Sequence, residues 1–389
     1  MNSPSSAPSA DPATQSETRR IVSVDALRGF VMFWIVGGDA LAQALKKMSS
    51  AGSGAVSSVG GFFGDQLDHV DWEGFRFYDL IFPMFVFIVG VSIVFSLTKL
   101  VEREGRAAAH GRVLRRFALL FLLALLYSGG FSHEWPDIRL LGVLNRIALC
   151  YLFASLLFLN LRLRGLIVAC VSLLVGYWAL MTFVPVPGIG AGAFAKGANL
   201  ANWIDSQYLP GKLWDGTWDP EGLLSTLPAI ATCLLGVFAG LLLKETRVDE
   251  KQKALWLVGV GALLVVAGFV WGLQFPVIKK IWTSSYVLVA GGYSAMLLGA
   301  FYHVIDVRGR QRWATPFIWI GANAITLYFA ENIFNFEKLA GRLVGGDVSH
   351  FLDAHLMAGA GHFVSACVGL LLAIALAGFL YRRRIFLRV

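Results

Sequence analysis

Ten apolar stretches run through this chain, near residues 25–48, 77–99, 112–131, 140–160, 165–184, 222–243, 254–273, 281–304, 313–334 and 360–381. Each is long enough to cross the hydrocarbon core of a bilayer, and at about 20 residues each suits a helix rather than a barrel strand. The expected fold class is therefore all-α, a polytopic membrane protein of about ten transmembrane helices. Only 15% of the 389 residues are charged and 57% are hydrophobic, whereas a soluble domain carries about a quarter charged residues. Gly37, Gly38, Gly291 and Gly292 interrupt the apolar pattern, and small residues at such positions admit a neighbouring helix or a ligand.

The cationic residues set the orientation. With the N-terminus in the cytoplasm, 21 Lys and Arg residues fall on the inner side and 10 on the outer, with Arg28 and Arg146 inside or at the ends of helices. The positive-inside rule then places both termini in the cytoplasm. Residues 1–20, rich in Ser, Ala, Pro and Thr, are expected to be a disordered cytoplasmic tail, and residues 21–389 a single membrane domain. The net charge of +8 follows from this loop bias, so nucleic acid is excluded as a partner and membrane lipid is the expected surroundings. Cys150, Cys170, Cys233 and Cys367 all fall in apolar stretches without ligand spacing, so neither a metal nor a disulfide is expected.

The stretch from His69 to Val91 carries the strongest chemical signal. A titratable loop with Asp68, His69 and Asp71 runs into an apolar helix that still holds Asp79. An acid at the mouth of a lipid-embedded helix is costly and marks a site. Among the other histidines, His110 and His303 fall on the inner side, while His133, His350, His355 and His362 lack an acid entering a helix beside them. His69 is thus the candidate base, with Asp79 to orient it.

Helical rise extends this site. Asp39, some fourteen residues into the first stretch, lies roughly 20 Å from the inner face. Asn145 and Arg146 begin the fourth stretch at the outer side, and Lys279, Ser285 and Tyr286 begin the eighth. Asn323 and Glu331 approach the same depth along the ninth. Convergence of these groups implies an outer-half cavity. An ion pair of Arg146 with Asp39 or Asp79 is the structural alternative. The outer connection 185–221 ends in Trp214-Asp215-Gly216-Thr217-Trp218-Asp219-Pro220-Glu221, which suits either a sugar or an interfacial aromatic belt with a helix start.

Several motifs resemble, in order, the transmembrane heparan-alpha-glucosaminide N-acetyltransferase family. They are Ser23-Val-Asp-Ala-Leu-Arg-Gly29, the His69, Trp72 and Asp79-Leu-Ile-Phe-Pro83 block, Gly142-Val-Leu-Asn-Arg146, Pro185-Val-Pro-Gly188, Asp219-Pro-Glu-Gly222, Lys279 with Trp282 and Ser285-Tyr-Val287, and Gly321 with Asn323. The resemblance covers about residues 20–389. It implies acetyl transfer from cytoplasmic acetyl-CoA to the amine of a glucosamine-type sugar across the membrane, with the active histidine on His69. A family asparagine falls on Asp39, and a histidine of the lysosomal enzyme on Glu331. The family's large luminal N-terminal domain has no counterpart in residues 1–20, which implies a bacterial-type catalytic core in an inner membrane, acting on a free or cell-wall-derived amino sugar.

On this reading the catalytic set is His69, Asp39 and Asp79. The substrate and CoA set is Arg146, Asn145, Ser285, Tyr286, Lys279, Asn323, Arg115 and Arg116, with Arg112 and Arg308–Arg312 as further cytoplasmic cations. His69 acts either as general base or as acetyl carrier. Asn145, Ser285, Tyr286 or Asn323 would stabilise the oxyanion. A homodimer stays open. The competing class is an amino-sugar transporter using Asp39 and Arg146, and a third is an O-acyltransferase.

Overall fold

The computed structural model describes residues 21–51, 55–132 and 134–387. The expected tail, His133 and Arg388 lie outside the described residues. The chain forms α1 (Val22–Ala51), α2 (Ala55–Gln66), α3 (Ile81–Tyr127), α4 (Val143–Asn160), α5 (Leu163–Phe183), α6 (Leu200–Tyr208), α7 (Thr226–Lys244), α8 (Glu250–Gly272), α9 (Ser284–Tyr302), α10 (Thr315–Ala322), α11 (Ala324–Phe334), α12 (Phe336–Val344), α13 (Asp347–His355) and α14 (Ala360–Arg382). Strand structure among the described residues is one two-residue hairpin, β1 (Phe194–Ala195) against β2 (Ala198–Asn199), with Phe194 opposite Asn199. The protein is an all-α polytopic membrane protein.

Seven helices are long and apolar enough to cross a membrane, and the bent pair α10–α11 makes an eighth. The expectation of about ten is higher for two reasons. First, the stretches at 77–99 and 112–131 follow one another directly as α3 and count as a single span. Its 47 residues would span about 70 Å if straight, more than twice a hydrocarbon core. Gly105, at φ 83° and ψ 171°, breaks it into two membrane-length halves. Second, α1 carries Asp25, Arg28, Asp39, Lys46 and Lys47, which dilute its apolar character below that of a lipid-facing span.

Close helix contacts explain the glycines. A Cβ on Gly29 would lie 1.7 Å from the Phe317 carbonyl oxygen, and one on Gly321 would lie 1.9 Å from that of Asp25, so α1 and α10 touch backbone to backbone. Gly38 seats the Tyr78 ring on α1, whereas Gly37 seats Leu370. The central core joins α3, α4, α7 and α9, with Met84, Phe87, Val91, Leu234, Val287 and Leu298 fully buried.

Loops assigned to one face by their charge meet one another at one end of the bundle. At one end Asp306 accepts hydrogen bonds from the Val22 and Ser23 N–H groups, and Lys244 pairs with Glu102. At the other, backbone bridges join Glu73 to Ile278 and Arg139 to Gly211. A second small core of Tyr177, Met181, Val186, Leu200, Phe275 and Ile278 holds this layer, and Trp72 packs against it.

Candidate active site

His69 lies in the loop between α2 and α3. Its Nδ1 is 2.8 Å from Asp79 Oδ1. Asp79 sits in the 3-10 turn Phe77–Leu80 that opens α3, with its side chain 1% exposed. Such burial of a carboxylate demands donors. Asp79 Oδ2 accepts the N–H groups of Arg76 at 3.1 Å and Val70 at 3.3 Å, and its carbonyl accepts the Tyr286 hydroxyl at 2.7 Å. With Nδ1–H donated to Asp79, Nε2 is the ring nitrogen left with a lone pair.

The rest of the loop fixes the ring and leaves it 45% exposed. The His69 ring stacks on Tyr78, centroids 4.7 Å apart. The His69 N–H donates to Asp68 Oδ1 at 2.8 Å, while Asp68 also pairs with Lys46 of α1. Arg76 donates to the His69 carbonyl at 3.3 Å. Gln66 accepts the Phe77 N–H, tying the end of α2 to the start of the turn.

Lys279 closes the site from the α8–α9 loop. Its Nζ lies 2.9 Å from His69 Nδ1 and 3.2 Å from Nε2, and 3.5 Å from Asp79 Oδ1. It is presented by a tight turn in which the Trp282 N–H donates to the Lys279 carbonyl, and Trp282 takes the left-handed conformation at φ 52°. That conformation is unfavourable for a bulky residue, and tertiary contacts hold it. Trp282 Nε1 donates to Thr232 at 3.0 Å, and the Arg146 guanidinium lies over the indole at 5.0 Å. Burial strips the Lys279 ammonium of water and pulls it below the ordinary lysine value, against the opposing pull of Asp79 and Glu221.

The remaining sequence candidates separate into three places. Asp39 is exposed on α1, and its carboxylate interacts with the Tyr78 hydroxyl, one side chain away from His69. Tyr286 supports Asp79. Ser285 turns away, bonded to Thr283 at 3.0 Å and to the Pro276 carbonyl at 3.1 Å. Asn145 caps its own helix, with Oδ1 accepting the Gly142 N–H and Nδ2 donating to the Phe121 carbonyl.

Arg146 is 1% exposed and pairs with neither Asp39 nor Asp79. It donates to the Gly222 carbonyl at 3.1 Å and to Ser225 Oγ at 2.5 Å. Glu331 accepts the Phe336 N–H at the α11–α12 turn.

Asn323 and Arg116 line a cavity of about 290 Å³ between α1, α3, α4 and the α10–α11 break. Arg28, Ser92, Tyr151 and Tyr328 share its wall, as does Phe82, one turn past Asp79. A second cavity of about 350 Å³ is lined by Asp25, Arg28, Ser92, Lys99, Glu102 and Lys244. Arg28 and Ser92 are common to both, and Arg28 donates to Ser92 at 2.8 Å and to Asp25 at 3.2 Å. Arg116 stacks over Tyr151 at 4.7 Å. Arg115 is exposed on the second half of α3, and Arg112 pairs with Glu104.

The acidic aromatic loop is largely committed to structure. Asp219, 2% exposed, accepts two bonds from Arg139 at 2.8 and 2.7 Å, and Glu221 accepts a third at 2.6 Å. Trp218 is buried edge-on to Trp72. Trp214 is 68% exposed, with Arg139 on one face of its ring. Burial raises Glu221 above the ordinary carboxylate value and pushes Asp205 up to about 6.

Sequence reasoning missed Tyr78, which joins Asp39 to His69, and Arg28, which joins the two cavities. Tyr78 directly precedes Asp79, and Arg28 is a charge inside an apolar stretch, so the second at least carried a signal.

The family model for the catalytic region of heparan-alpha-glucosaminide N-acetyltransferase matches residues 20–268. The chain belongs to that family. Heparan-alpha-glucosaminide N-acetyltransferase of Homo sapiens is 28% identical to it, over 82% of this chain and 55% of the human protein. The Mus musculus enzyme of the same name is 27% identical, over 82% of this chain and 56% of its own length. The chain thus spans about half the length of the curated relatives it matches. The family match takes in α1 to most of α8, including the His69–Asp79 pair and every residue lining the second cavity, whereas Lys279 and Asn323 lie beyond it.

Proposed function

We propose that this chain is a transmembrane N-acetyltransferase, moving the acetyl group of acetyl-CoA to the amine of a glucosamine-type sugar at the opposite membrane face. What supports this reading is that two cavities share Arg28 and Ser92, and that Phe82, one helical turn from Asp79 of the His69–Asp79 pair, lines one of them. One cavity is lined by Lys99, Glu102 and Lys244 and the other by Phe82, and Arg28 and Ser92 belong to both. The pantetheine arm, about 20 Å long, matches most of a core about 30 Å thick.

The end with Lys99 and Lys244 is the cytoplasmic face on this reading. Lys99, Lys244 and Arg28 attract the CoA phosphates there, with Asp25 and Glu102 limiting how many anionic groups fit. Arg116 lies higher, on the wall of the arm's path. The acyl thioester then reaches the outer end, where the sugar amine arrives. Asp39, exposed beside Tyr78, attracts the incoming ammonium.

The ammonium must first lose a proton to solvent. The free amine nitrogen attacks the thioester carbonyl carbon and forms the C–N bond. His69 Nε2 takes the second nitrogen-bound proton, while Asp79 holds Nδ1–H and stabilises the resulting imidazolium. The C–S bond breaks, and the imidazolium returns its proton to the departing thiolate. The products are the N-acetyl sugar and CoA, with one proton released overall.

The test is purified protein in detergent with labelled acetyl-CoA and glucosamine. Labelled N-acetylglucosamine is expected, and His69→Ala should abolish it. Uptake of glucosamine into vesicles without acetylation would overturn the reading in favour of transport.

A further inference from the structure

We propose that Trp214 is a sugar-binding subsite, and that the acceptor is an oligosaccharide whose terminal amino sugar stands at His69 while a following sugar lies on the Trp214 ring. The inference rests on the function proposed above and adds the length of the acceptor. Trp214 is 68% exposed, a large aromatic surface left uncovered. The ring is backed on one side. The Arg139 guanidinium lies over one face, 4.8 Å from the ring centroid. Three charge-assisted hydrogen bonds to Asp219 and Glu221 hold that guanidinium in turn. The Trp214 N–H donates to Asp219 Oδ2 at 3.1 Å, so one buried carboxylate pins both the backbone under the ring and the cation behind it.

The turn that carries the ring is closed by its own hydrogen bonds. The Asp215 N–H donates to the Trp218 carbonyl and the Thr217 N–H to the Asp215 carbonyl, each at 3.1 Å. Gly216 between them takes φ 85°, a conformation glycine adopts without a steric cost. A ring ordered in advance loses little freedom when a ligand settles on it, and tryptophan offers a large contact area for that small loss.

This turn is tied to the His69 loop. Trp218 meets Trp72 edge-on, with centroids 5.6 Å apart, and Trp72 Nε1 donates to the Phe194 carbonyl at 2.8 Å. Lys280 Nζ lies 3.7 Å from the Asp215 carboxylate and 5.9 Å from the Trp218 ring centroid. Its neighbour Lys279 lies 2.9 Å from the His69 ring. Two consecutive lysines therefore connect the catalytic ring to the turn that presents Trp214.

The surroundings select a sugar over a lipid chain. Lys212, Gly216 and Thr217 are the exposed residues beside Trp214 in the loop, and Asp215 and Lys280 are partly exposed. A methylene chain gains nothing from these groups. A pyranose presents a C–H face to the indole and hydroxyls at its rim to a carboxylate, an ammonium and the Thr217 hydroxyl, all of which can bond them.

The experiment compares glucosamine with α-1,4- and β-1,4-linked oligomers of two to four sugars that carry one free amine, on the non-reducing terminal unit, the others being N-acetylated. On the wild type, kcat/KM for acetyl transfer should rise about tenfold over glucosamine in one series once the chain reaches the ring. Trp214→Ala should return that oligomer to the glucosamine value and leave glucosamine itself unchanged. Trp214→Phe should keep part of the gain.

A kcat/KM that stays flat with length in both series on the wild type would overturn the subsite, and this comparison needs no variant to fold. An equal loss on glucosamine and oligomers in Trp214→Ala would make the ring a structural or membrane-anchoring group and also overturn it. If the wild type acetylates none of the acceptors, the catalytic reading falls, and calorimetry with the same oligomers decides the subsite. Oligomer binding that Trp214→Ala weakens about tenfold supports it; binding that is absent, or indifferent to Trp214→Ala, overturns it as well.

Discussion

His69 Nδ1 and Asp79 Oδ1 lie 2.8 Å apart, joined across the point where a loop becomes a membrane-length helix. Asp79 is buried and His69 is nearly half exposed, so the two ends of one hydrogen bond have different costs. His69→Ala removes an exposed ring, and its thermal midpoint should stay within a few degrees of wild type. Asp79→Asn places a side-chain amide among the Arg76, Val70 and His69 donors and loses an acceptor there, an expected loss of about 1–3 kcal/mol. Both should reduce acetyl transfer by roughly a hundredfold or more. Equal activity in Asp79→Asn would remove Asp79 from the mechanism.

The ammonium of Lys279 faces both ring nitrogens of His69 and the Asp79 carboxylate. Other charges near the ring are Asp68 with Lys46, Arg76 on the His69 carbonyl, and Asp39 through Tyr78. Lys279 therefore fixes the ring against Asp79, and Lys279→Met should lower kcat/KM for acetyl transfer by about tenfold or more, with Lys279→Arg retaining more activity than Lys279→Met. Steady-state kinetics of the three proteins with acetyl-CoA and glucosamine check this; unchanged kcat/KM in Lys279→Met would leave Lys279 a packing role only.

Asp205 gives a pH dependence of stability that is separate from catalysis. It accepts the Leu223 N–H at 2.8 Å and lies 2% exposed, with burial pushing it up to about 6 from an ordinary 3.8. Its folded value is raised, so between about pH 4 and pH 6 the folded state binds more protons than the unfolded one. Stability from this group is present at the acid end and lost as pH rises through 6. The swing is on the order of 3 kcal/mol. Asparagine can still accept from Leu223 without a charge, so Asp205→Asn should lack the swing. Thermal unfolding of both proteins between pH 4 and pH 8 measures the difference.

Much of this arrangement was legible in the sequence because lipid enforces simple rules. Apolar length located nearly every long helix, and an acid entering an apolar helix beside a histidine located the His69–Asp79 pair. What the sequence hid is the direction of side chains. Asn145, Arg146 and Ser285 stand at the expected end of the bundle, yet Asn145 and Ser285 are spent on nearby backbone carbonyls, and Arg146 turns its Nη2 to the Gly222 carbonyl and Ser225 rather than to Asp39 or Asp79. Depth along a helix follows from 1.5 Å per residue, but which face looks into a cavity depends on neighbours far away in sequence.

Gly321 links helix packing to the donor path, and a pair of alanine substitutions separates packing from propensity. A Cβ at Gly321 would lie 1.9 Å from the Asp25 carbonyl oxygen, which belongs to rigid α1 backbone and cannot rotate away. α10 would have to move off α1, and with it the break at Asn323. Gly321→Ala should thus destabilise by about 1–3 kcal/mol or more through overpacking, and should raise the acetyl-CoA KM. Gly176 is the internal control: it lies on exposed α5 surface, where an added Cβ would meet nothing within 4 Å, and alanine there should stabilise the helix by about 0.5–1 kcal/mol without touching the KM. Thermal unfolding and donor kinetics on the two variants check both signs, and a neutral Gly321→Ala would show that α1 and α10 are less tightly joined than their backbone contact requires.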